Sequence, residues 1–369
     1  MSRKELRVII SGGGTGGHIF PAVAIAQAIL RKRPDSQILF VGAEGRMEME
    51  KVPAAGFQIV GLPIMGLQRS FTLKNFLLPF KLLKSMWMAH RIVKDFKPHV
   101  AIGVVGYASG PLLKAAAVQR IPTVIQEQNS YPGITNKLLA SRASAICVAY
   151  QGMERYFPAR KIVITGNPVR SAVLKCDKNR ENLLSQFGLR NDLPVILILG
   201  GSLGARSINE AVEKSIDAWQ NAGYSVIWQT GKTFFSRAIV KASANVQVFD
   251  FITDMGAAYK LADLVVSRAG AMSISELCLV AKPSILIPSP NVAEDHQTKN
   301  AMALVQRGAA ELVKDSEALY QLEGRVMKLM QDANSRDQLS LKAKEMGFSE
   351  ADSAIANEVI RVALSNESR

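Results

Sequence analysis

Cysteine is scarce in this sequence, and the little there is does not cluster. Cys147, Cys176 and Cys278 stand at no metal-ligand spacing. That excludes a disulfide scaffold and a zinc-binding cysteine set, and an odd, unpaired count predicts reduced thiols in a reducing compartment. Also missing is any apolar run near the 18 or so residues that cross a bilayer. The start, Met1-Ser2-Arg3-Lys4-Glu5, leads only into Leu6 and the short run Val8-Ile9-Ile10, too short for the core of a secretory signal. No Asp-x-Asp metal motif and no nucleophile elbow occur. Acidic residues are in deficit, 31 Asp and Glu against 45 Lys and Arg, a net charge of +14. At 48% hydrophobic and 21% charged, the chain is not intrinsically disordered, and 369 residues predict two domains. The expectation is a cytoplasmic two-domain protein whose charge calls for an anionic partner: nucleic acid, a phosphorylated substrate or an acidic membrane surface.

Short apolar runs rich in Val and Ile alternate with longer amphipathic stretches. Residues 6–11, 37–42, 57–62, 100–103, 123–126, 145–148 and 162–165 read as strands, with helical patterns such as 22–32 and 111–120 between them. Near-continuous apolar strands alternating with helices predict an α/β fold with a parallel sheet covered on both faces. The alternation pauses after Gly166-Asn167-Pro168, where 176–192 is polar and charged with no strand. It resumes with strands at 195–199, 225–229, 246–249, 264–266, 284–287 and 311–313. The predicted division is 1–168, 169–345 and a terminal helix within 346–369 that packs back on the first half. Both halves open with a strand, a glycine-rich turn and a helix, the phosphate-binding unit of a Rossmann half.

The first turn is Gly12-Gly13-Gly14-Thr15-Gly16-Gly17-His18. Glycines let backbone approach an anion, and a helix starting near His18 aims unpaired N–H groups and its positive dipole end at that anion. No Gly-Lys-Ser/Thr follows, so this is not a P-loop. No acid ends the second strand either, Glu44 coming two residues late, so dinucleotide spacing is not met. The dipole opposes an added proton on His18, and a neutral imidazole is what a general base requires. His90 and His99 read as surface residues. The second turn, Gly200-Gly201-Ser202-Leu203-Gly204-Ala205-Arg206, adds a hydroxyl and a cation. Beyond the strand at 264–266, Arg268 precedes a turn of small residues and Glu276 follows in the next helix. There a carboxylate either accepts two ribose hydroxyls or closes a capping box with Ser273. Arg170, ending Gly166-Asn167-Pro168-Val169-Arg170, stands at the predicted joint between halves. From Ile64 to Lys97 seven cations (Arg69, Lys74, Lys81, Lys84, Arg91, Lys94, Lys97) face one acid, Asp95. They are interleaved with Phe76, Leu77, Phe80 and Trp87, as in an element lying on anionic lipid; the bland alternative is a core helix with a solvated basic face.

Six motifs in order resemble the MurG glycosyltransferase family over about residues 7–345: Gly12 to His18, Gly106-Tyr107-Ala108-Ser109-Gly110-Pro111, Glu127-Gln128-Asn129-Ser130-Tyr131-Pro132-Gly133, Gly166 to Arg170, Gly200 to Ala205, and Ser267 to Glu276. The resemblance implies a GT-B fold, two Rossmann-like domains with parallel sheets facing a cleft. It implies inverting transfer of N-acetylglucosamine from UDP-N-acetylglucosamine to the C4 hydroxyl of the muramoyl sugar of undecaprenyl-diphospho-muramoylpentapeptide, in peptidoglycan biosynthesis. It places such enzymes peripherally on the cytoplasmic face of the plasma membrane, with cell-wall synthesis proteins as potential partners. Carried over residue by residue, it implies donor contacts at Thr15, Gly16, Gly17, Asn129, Arg170, Ser202, Ile252, Ala271, Met272, Ser273, Ile274, Ser275, Glu276 and Gln297, with Asn300 behind Gln297. Glu276 would hold the ribose, Ile252 would meet the uracil edge through its backbone, and Gln297 would read the sugar. Gly13, Gly14 and Tyr107 would face the acceptor. Ser202, Arg170 and Arg268 would steady the departing UDP, and His18 would be the base, with Glu127 or water as the alternative. No cofactor is implied, and a divalent ion can assist the diphosphates without a dedicated ligand set.

Other classes fit less well. A soluble UDP-N-acetylglucosamine 2-epimerase has no use for the basic apolar segment. A nicotinamide-dependent dehydrogenase lacks its acid. Nucleic acid is disfavoured because the charge gathers beside apolar residues rather than along a phosphate-tracking stripe, and no nucleic-acid motif occurs.

Overall fold

The computed structural model describes residues 5–64, 78–169, 173–174, 176–190 and 192–367. Phe76, Leu77 and Arg170 lie outside the described residues. The chain forms two compact units, Met1–Val169 with Glu350–Arg369, and Arg170–Ser349.

The first unit runs β1 (Arg7–Ser11), α1 (Gly16–Lys32), β2 (Gln37–Ala43), α2 (Glu48–Ala54), β3 (Gln58–Leu62), α3 (Leu78–Phe96), β4 (Val100–Val104), α4 (Ser109–Val118), β5 (Thr123–Glu127), α5 (Ile134–Ala140), β6 (Ala145–Val148) and β7 (Ile162–Ile164). Its strands form one parallel sheet in the order β3-β2-β1-β4-β5-β6-β7. Each predicted strand of this half is present within one residue at either end. The apolar runs are continuous because both faces are covered. In β1, Val8 and Ile10 join a core with Ile25 and Ile29 of α1, whereas Ile9 joins a second core with Ala89 and Val93 of α3 and Leu112 of α4.

The second unit runs α6 (Arg180–Phe187), β8 (Val195–Leu199), α7 (Arg206–Asn221), β9 (Ser225–Gln229), α8 (Lys232–Ala238), β10 (Val246–Phe249), α9 (Met255–Leu261), β11 (Leu264–Ser267), α10 (Ala271–Leu279), β12 (Ser284–Leu286), α11 (His296–Val305), β13 (Glu311–Leu312), α12 (Ala318–Gln331) and α13 (Ala333–Glu345). Its parallel sheet has the order β10-β9-β8-β11-β12-β13. The polar stretch at its start is helical: Asn179 caps α6 by accepting from the Asn182 N–H at 2.9 Å, and Gly188 ends it in the left-handed region. Inside the core, Trp228 Nε1 donates to Asn209 Oδ1 at 3.0 Å, and Asn209 Nδ2 donates to the Thr230 carbonyl at 2.8 Å. A buried amide is thereby satisfied on both sides.

The last helix, α14 (Ala351–Glu367), belongs to the first unit. Ile355, Ala356, Val359, Val362 and Ala363 are buried in the same core as α1. Burying an Ile or Val completely contributes about 1.5–3 kcal/mol. The Arg31–Asp352 ion pair beside it, 2.6 Å long with its arginine mostly in solvent, belongs to a class worth about 0–1 kcal/mol. Apolar burial, not charge, therefore docks the helix.

In each sheet the strand order reverses beside the first strand, between β1 and β4 and again between β8 and β11. Loops leaving the carboxyl ends of those four strands flank the crevice where open α/β sheets bind ligands. The glycine-rich turns picked out in the sequence follow β1 and β8.

Candidate active site

In the first unit the loops after β1 and β4 press backbone on backbone. A Cβ at Gly12 would stand 3.1 Å from the Val104 carbonyl, and one at Gly106 would stand 2.9 Å from both the nitrogen and the oxygen of Gly13. Gly106 also has φ +112°, and its neighbour Val105 is held at φ +46°. A β-branched residue with positive φ is a true outlier, and such strain gathers at functional sites. Tyr107 follows, half exposed, its ring edge 4.0 Å from where a Gly14 Cβ would stand.

Beneath this loop lies an acid that sequence reasoning missed. Glu48 is buried, its Oε1 accepting from the Ala43 N–H at 3.1 Å and its Oε2 from the Gly14 N–H at 2.9 Å. The space it fills exists because residues 13 and 42 are glycines; a Cβ at either would collide with its side chain. The signal was faint: an acid was sought at the end of β2, but the one that closes on the loop is the first residue of α2.

His18 occupies the first turn of α1. Thr15 begins the helix, its carbonyl accepting from the N–H groups of His18 at 3.0 Å and Ile19 at 3.1 Å. Its side chain makes no cap and no acid stands in the first turn, so the positive helix end at Gly16 and Gly17 is uncompensated from within that turn. His18 Nδ1 lies 3.0 Å from the Gly13 carbonyl. A carbonyl only accepts, so in the neutral ring Nδ1 carries the hydrogen and Nε2 presents its lone pair. His99, expected at the surface, is half-buried and accepts the Arg7 N–H through Nδ1 at 2.9 Å; His90 is exposed.

Glu127 is not placed to act as a base. It is buried, and four N–H groups converge on it: Asn129 N at 3.0 Å and Nδ2 at 3.2 Å, Gly133 N at 3.2 Å and Asn136 Nδ2 at 2.7 Å. Burial pushes its carboxyl above the usual range, outweighing the four donors that pull it down. It works as a staple that folds the 128–133 loop and holds Asn129 through both its backbone N–H and its Nδ2.

The second unit repeats the close approach. A Cβ at Gly204, where φ is +79°, would collide with the Thr230 carbonyl. Ser202 stands exposed at the tip of this loop. Gln229, at the end of β9 and also missed, donates through Nε2 to the Gly201 carbonyl at 3.0 Å and accepts the Ile252 N–H through Oε1 at 2.9 Å. It ties the Ser202 loop to Ile252. The side chain of Ile252 is buried and its N–H is given to Gln229, so of its two backbone polar groups the carbonyl is the one Gln229 does not engage.

Arg268 departs from expectation. Its Nη1 donates to the carbonyls of Ile287 at 3.0 Å and Pro288 at 3.3 Å and to Asp315, and its Nη2 donates to Ser207 Oγ at 2.9 Å. The Arg268 side chain is 13% exposed. These partners make it a clamp among the ends of β11 and β12, the start of α7 and the Asp315 turn, rather than a ligand of the departing diphosphate. Arg206 is exposed and pairs with Glu210 at 2.7 Å.

Helix α10 is capped by Gly270 without a side-chain bond, so Ser273 and Glu276 are not a capping box. Ala271, Met272 and Ser273 supply the first-turn N–H groups. Ile274 is buried in the core, and Ser275 Oγ donates to the Ala271 carbonyl at 2.9 Å. Glu276 is half-buried, with Oε2 accepting from Tyr259 O–H at 3.1 Å. Burial first, and then the Glu276 charge, push the Tyr259 phenol well up, which keeps it a donor. Gln297 is the second residue of α11, its Oε1 accepting the Ser289 N–H at 2.8 Å; this orients its amide NH2 the other way. Asn300 is buried one turn on. Glu294 and Asp295, which lead into α11, both take left-handed conformations that non-glycine residues rarely hold. Among the described residues, no three His, Cys, Asp or Glu side chains gather as a metal-ligand set.

A separate surface lies on α3. Ser85, Ala89 and Val93 are buried on one face, while Phe80, Leu83 and Trp87, at i, i+3 and i+7, are 71%, 68% and 58% exposed. Lys84 and Arg91 are exposed beside that stripe and Lys81 is half-buried, with the Arg91 guanidinium 5.0 Å from the Trp87 ring centre. The helix is thus core on one side and carries exposed apolar and basic side chains together on its solvent side. No helix among the described residues is long and apolar enough to cross a membrane.

The staple role of Glu127 is open to a direct check. Glu127→Gln places an amide donor among four donors, and urea unfolding should show a loss of about 1–3 kcal/mol, the penalty for an unsatisfied buried group. An unchanged midpoint would return Glu127 to the candidate bases.

Comparison with known proteins agrees with this arrangement. Residues 8–148 match the glycosyltransferase family 28 N-terminal domain and residues 195–355 the glycosyltransferase family 28 C-terminal domain. The chain is 54% identical over 365 residues to a protein of Phocaeicola vulgatus, covering 98% of this chain and 97% of that one. It is 55% identical over 364 residues to one of Bacteroides fragilis, covering 97% and 96%. Both are named UDP-N-acetylglucosamine–N-acetylmuramyl-(pentapeptide) pyrophosphoryl-undecaprenol N-acetylglucosamine transferase. The crystal structure of Acinetobacter baumannii MurG superposes with a TM-score of 0.78 at 28% identity, over 96% of this chain and 99% of that one. A UDP-N-acetylglucosamine 2-epimerase from Neisseria meningitidis, at 14% identity and a TM-score of 0.68, covers 98% and 100% and shares the fold alone. The chain therefore has the GT-B fold and belongs to glycosyltransferase family 28, within its MurG family of N-acetylglucosamine transferases.

Proposed function

We propose that this chain transfers N-acetylglucosamine from UDP-N-acetylglucosamine to the C4 hydroxyl of the lipid-linked muramoyl pentapeptide, forming a β-1,4 bond with inversion. It is a UDP-N-acetylglucosamine-dependent hexosyltransferase of peptidoglycan synthesis. The observation that carries the assignment of roles is the His18 imidazole, tethered at Nδ1 to the glycine loop so that Nε2 is the basic nitrogen. In a single displacement, the acceptor oxygen forms its bond to the anomeric carbon as the bond to the UDP β-phosphate oxygen breaks. The hydroxyl proton passes to His18 Nε2, and UDP leaves with the bonding pair.

The second unit holds the donor. Glu276 has acceptor capacity beyond its bond to Tyr259 and takes the ribose hydroxyls. The Ile252 carbonyl accepts from uracil N3–H, and the Gln297 amide donates to the sugar. First-turn N–H groups of α10 and the Ser202 loop stabilise charge developing on the diphosphate. Arg170 serves the same phosphates. A divalent cation enters only as a counter-ion to them.

The exposed stripe of α3 lies on the cytoplasmic face of an anionic membrane, where the lipid-linked acceptor resides. Aromatic side chains enter the headgroup boundary, and each nearby Lys or Arg adds about 1 kcal/mol.

Purified protein should move labelled sugar from UDP-N-acetylglucosamine to a muramoyl pentapeptide diphospholipid, and His18→Ala should cut turnover far more than donor binding. Equal loss of both would sink the base assignment. Isothermal titration of Glu276→Ala should give a donor dissociation constant raised about tenfold, the scale for losing a charged hydrogen bond; an unaltered constant refutes the ribose contact. In vesicle sedimentation, Phe80→Ser and Trp87→Ser combined with Lys81→Glu and Lys84→Glu should weaken binding to anionic lipid by more than tenfold. Undiminished binding would remove α3 from the interface.

A further inference from the structure

The Gly13–Gly14 peptide is held at both ends. Its carbonyl oxygen, on Gly13, lies 3.0 Å from His18 Nδ1. Its N–H, on Gly14, donates to Glu48 Oε2 at 2.9 Å. One rigid amide plane therefore connects a buried acid on α2 to the imidazole on α1. The other acid oxygen, Oε1, accepts the Ala43 N–H at 3.1 Å, so both oxygens act as acceptors, as a carboxylate's do.

We propose that Glu48 is a positioning residue for the transfer, acting through the Gly13–Gly14 peptide to hold His18 in its Nδ1–H tautomer and present Nε2 as the base. The proposal rests on His18 being that base. A negative charge hydrogen-bonded to an amide N–H polarises the amide and enlarges the negative charge on its oxygen. That oxygen then binds an Nδ1–H more strongly. In water an imidazole prefers its hydrogen on Nε2, so the opposite tautomer needs such a partner. A carboxylate bonded directly to Nδ1–H does this in hydrolytic triads, and here a peptide unit intervenes. The geometry is specific to these residues. Glu48 is 1% exposed, and its side chain fills the volume that a Cβ at Gly13 or Gly42 would claim. Glu48 touches no substrate in this scheme; its effect passes through the loop.

A simple staple between β2 and the loop would make the same contacts but would not govern a proton on His18. The test is therefore nitrogen-15 spectroscopy of histidine-labelled full-length protein. The chain has four histidines, and His18→Gln identifies the His18 signals by their loss. Wild type should show neutral His18 protonated on Nδ1. Glu48→Gln, nearly the same shape without the charge, should move the population toward Nε2–H. It should also lower kcat by about tenfold or more, the scale for losing the partner that orients a working histidine, with the donor KM within about twofold. An unchanged tautomer and kcat in folded Glu48→Gln overturn the proposal. So does a wild-type spectrum with the hydrogen on Nε2, whatever the variant does. If Glu48→Gln does not fold, Glu48→Asp keeps the charge on an arm one methylene shorter, too short to bond both N–H groups. It should lose the Nδ1–H form as well, and retention of that form counts against Glu48. Failure of the base reading looks different: His18→Ala would keep its turnover while the tautomer still answered to Glu48.

Discussion

Both halves of this molecule depend on backbone approaching backbone at the carboxyl end of their first strand. In the first unit the loop after β4 lies against the loop after β1, with Gly106 at van der Waals limit from Gly13. In the second, the loop after β8 lies against the end of β9, where Gly204 leaves no room for a Cβ beside Thr230. Glycine costs about 0.5–1 kcal/mol of chain entropy at each such position relative to alanine. The cores on either side of the sheets offset that cost, and the gain is chemical. With side chains removed from the crest of each sheet, the loop N–H groups and the positive helix ends they lead into, α1 in the first unit and α7 in the second, are left uncovered by side chains.

A second consequence concerns where charge is placed. The ionisable groups most deeply enclosed near these loops, Glu48, Glu127 and Arg268, bond to protein atoms, mostly backbone amides and carbonyls. Burying a charge without partners is costly, and each of these has enough of them to fix a loop in one conformation. Among the half-buried groups, His18 Nδ1 meets the Gly13 carbonyl, Glu276 Oε2 accepts from the Tyr259 hydroxyl and Gln297 Oε1 accepts from the Ser289 N–H. On the roles proposed for these residues, holding and reacting fall to different side chains, and a loop fixed before any ligand arrives is what positioning catalysis requires.

Much of this was legible in the sequence, and what was not has a physical reason. Strands buried on both faces must be apolar throughout, so runs such as Val195-Ile196-Leu197-Ile198-Leu199 announced themselves. Glycine clusters marked the turns after β1 and β8 because few other reasons exist to accept that entropy loss. The reversal of strand order left no such mark, because it is a relation among strands distant in the chain. Arg268 was read as a phosphate ligand because a cation at a strand end is ambiguous until its acceptors are known. Those acceptors, Ser207 and Asp315, lie 61 and 47 residues away. Glu48 was invisible for a similar reason: Glu48-Met49-Glu50-Lys51 looks like a solvated helix, and only the meeting of Gly13 with Gly42 reveals the space one of its acids occupies. The α3 segment was legible as apolar residues among cations, but which of them share a face depended on Ser85, Ala89 and Val93 turning inward.

The net charge of +14 also takes on a more definite meaning. Ion pairs such as Arg237–Glu213, Lys241–Asp217 and Arg325–Glu311 lie largely exposed on the second unit and add little to its stability. The net surplus of cations sets up a positive field that favours anionic partners. On α3 these cations sit beside Phe80, Leu83 and Trp87. At physiological ionic strength a charge is screened within about 8 Å, so lysines alone attract an anionic surface only when nearly touching it. Apolar side chains alone would favour any lipid. Set together on one helix face, the two kinds of side chain act in complement. In the proposed membrane contact, the aromatic residues would hold the face at the lipid boundary and the cations would select an anionic one.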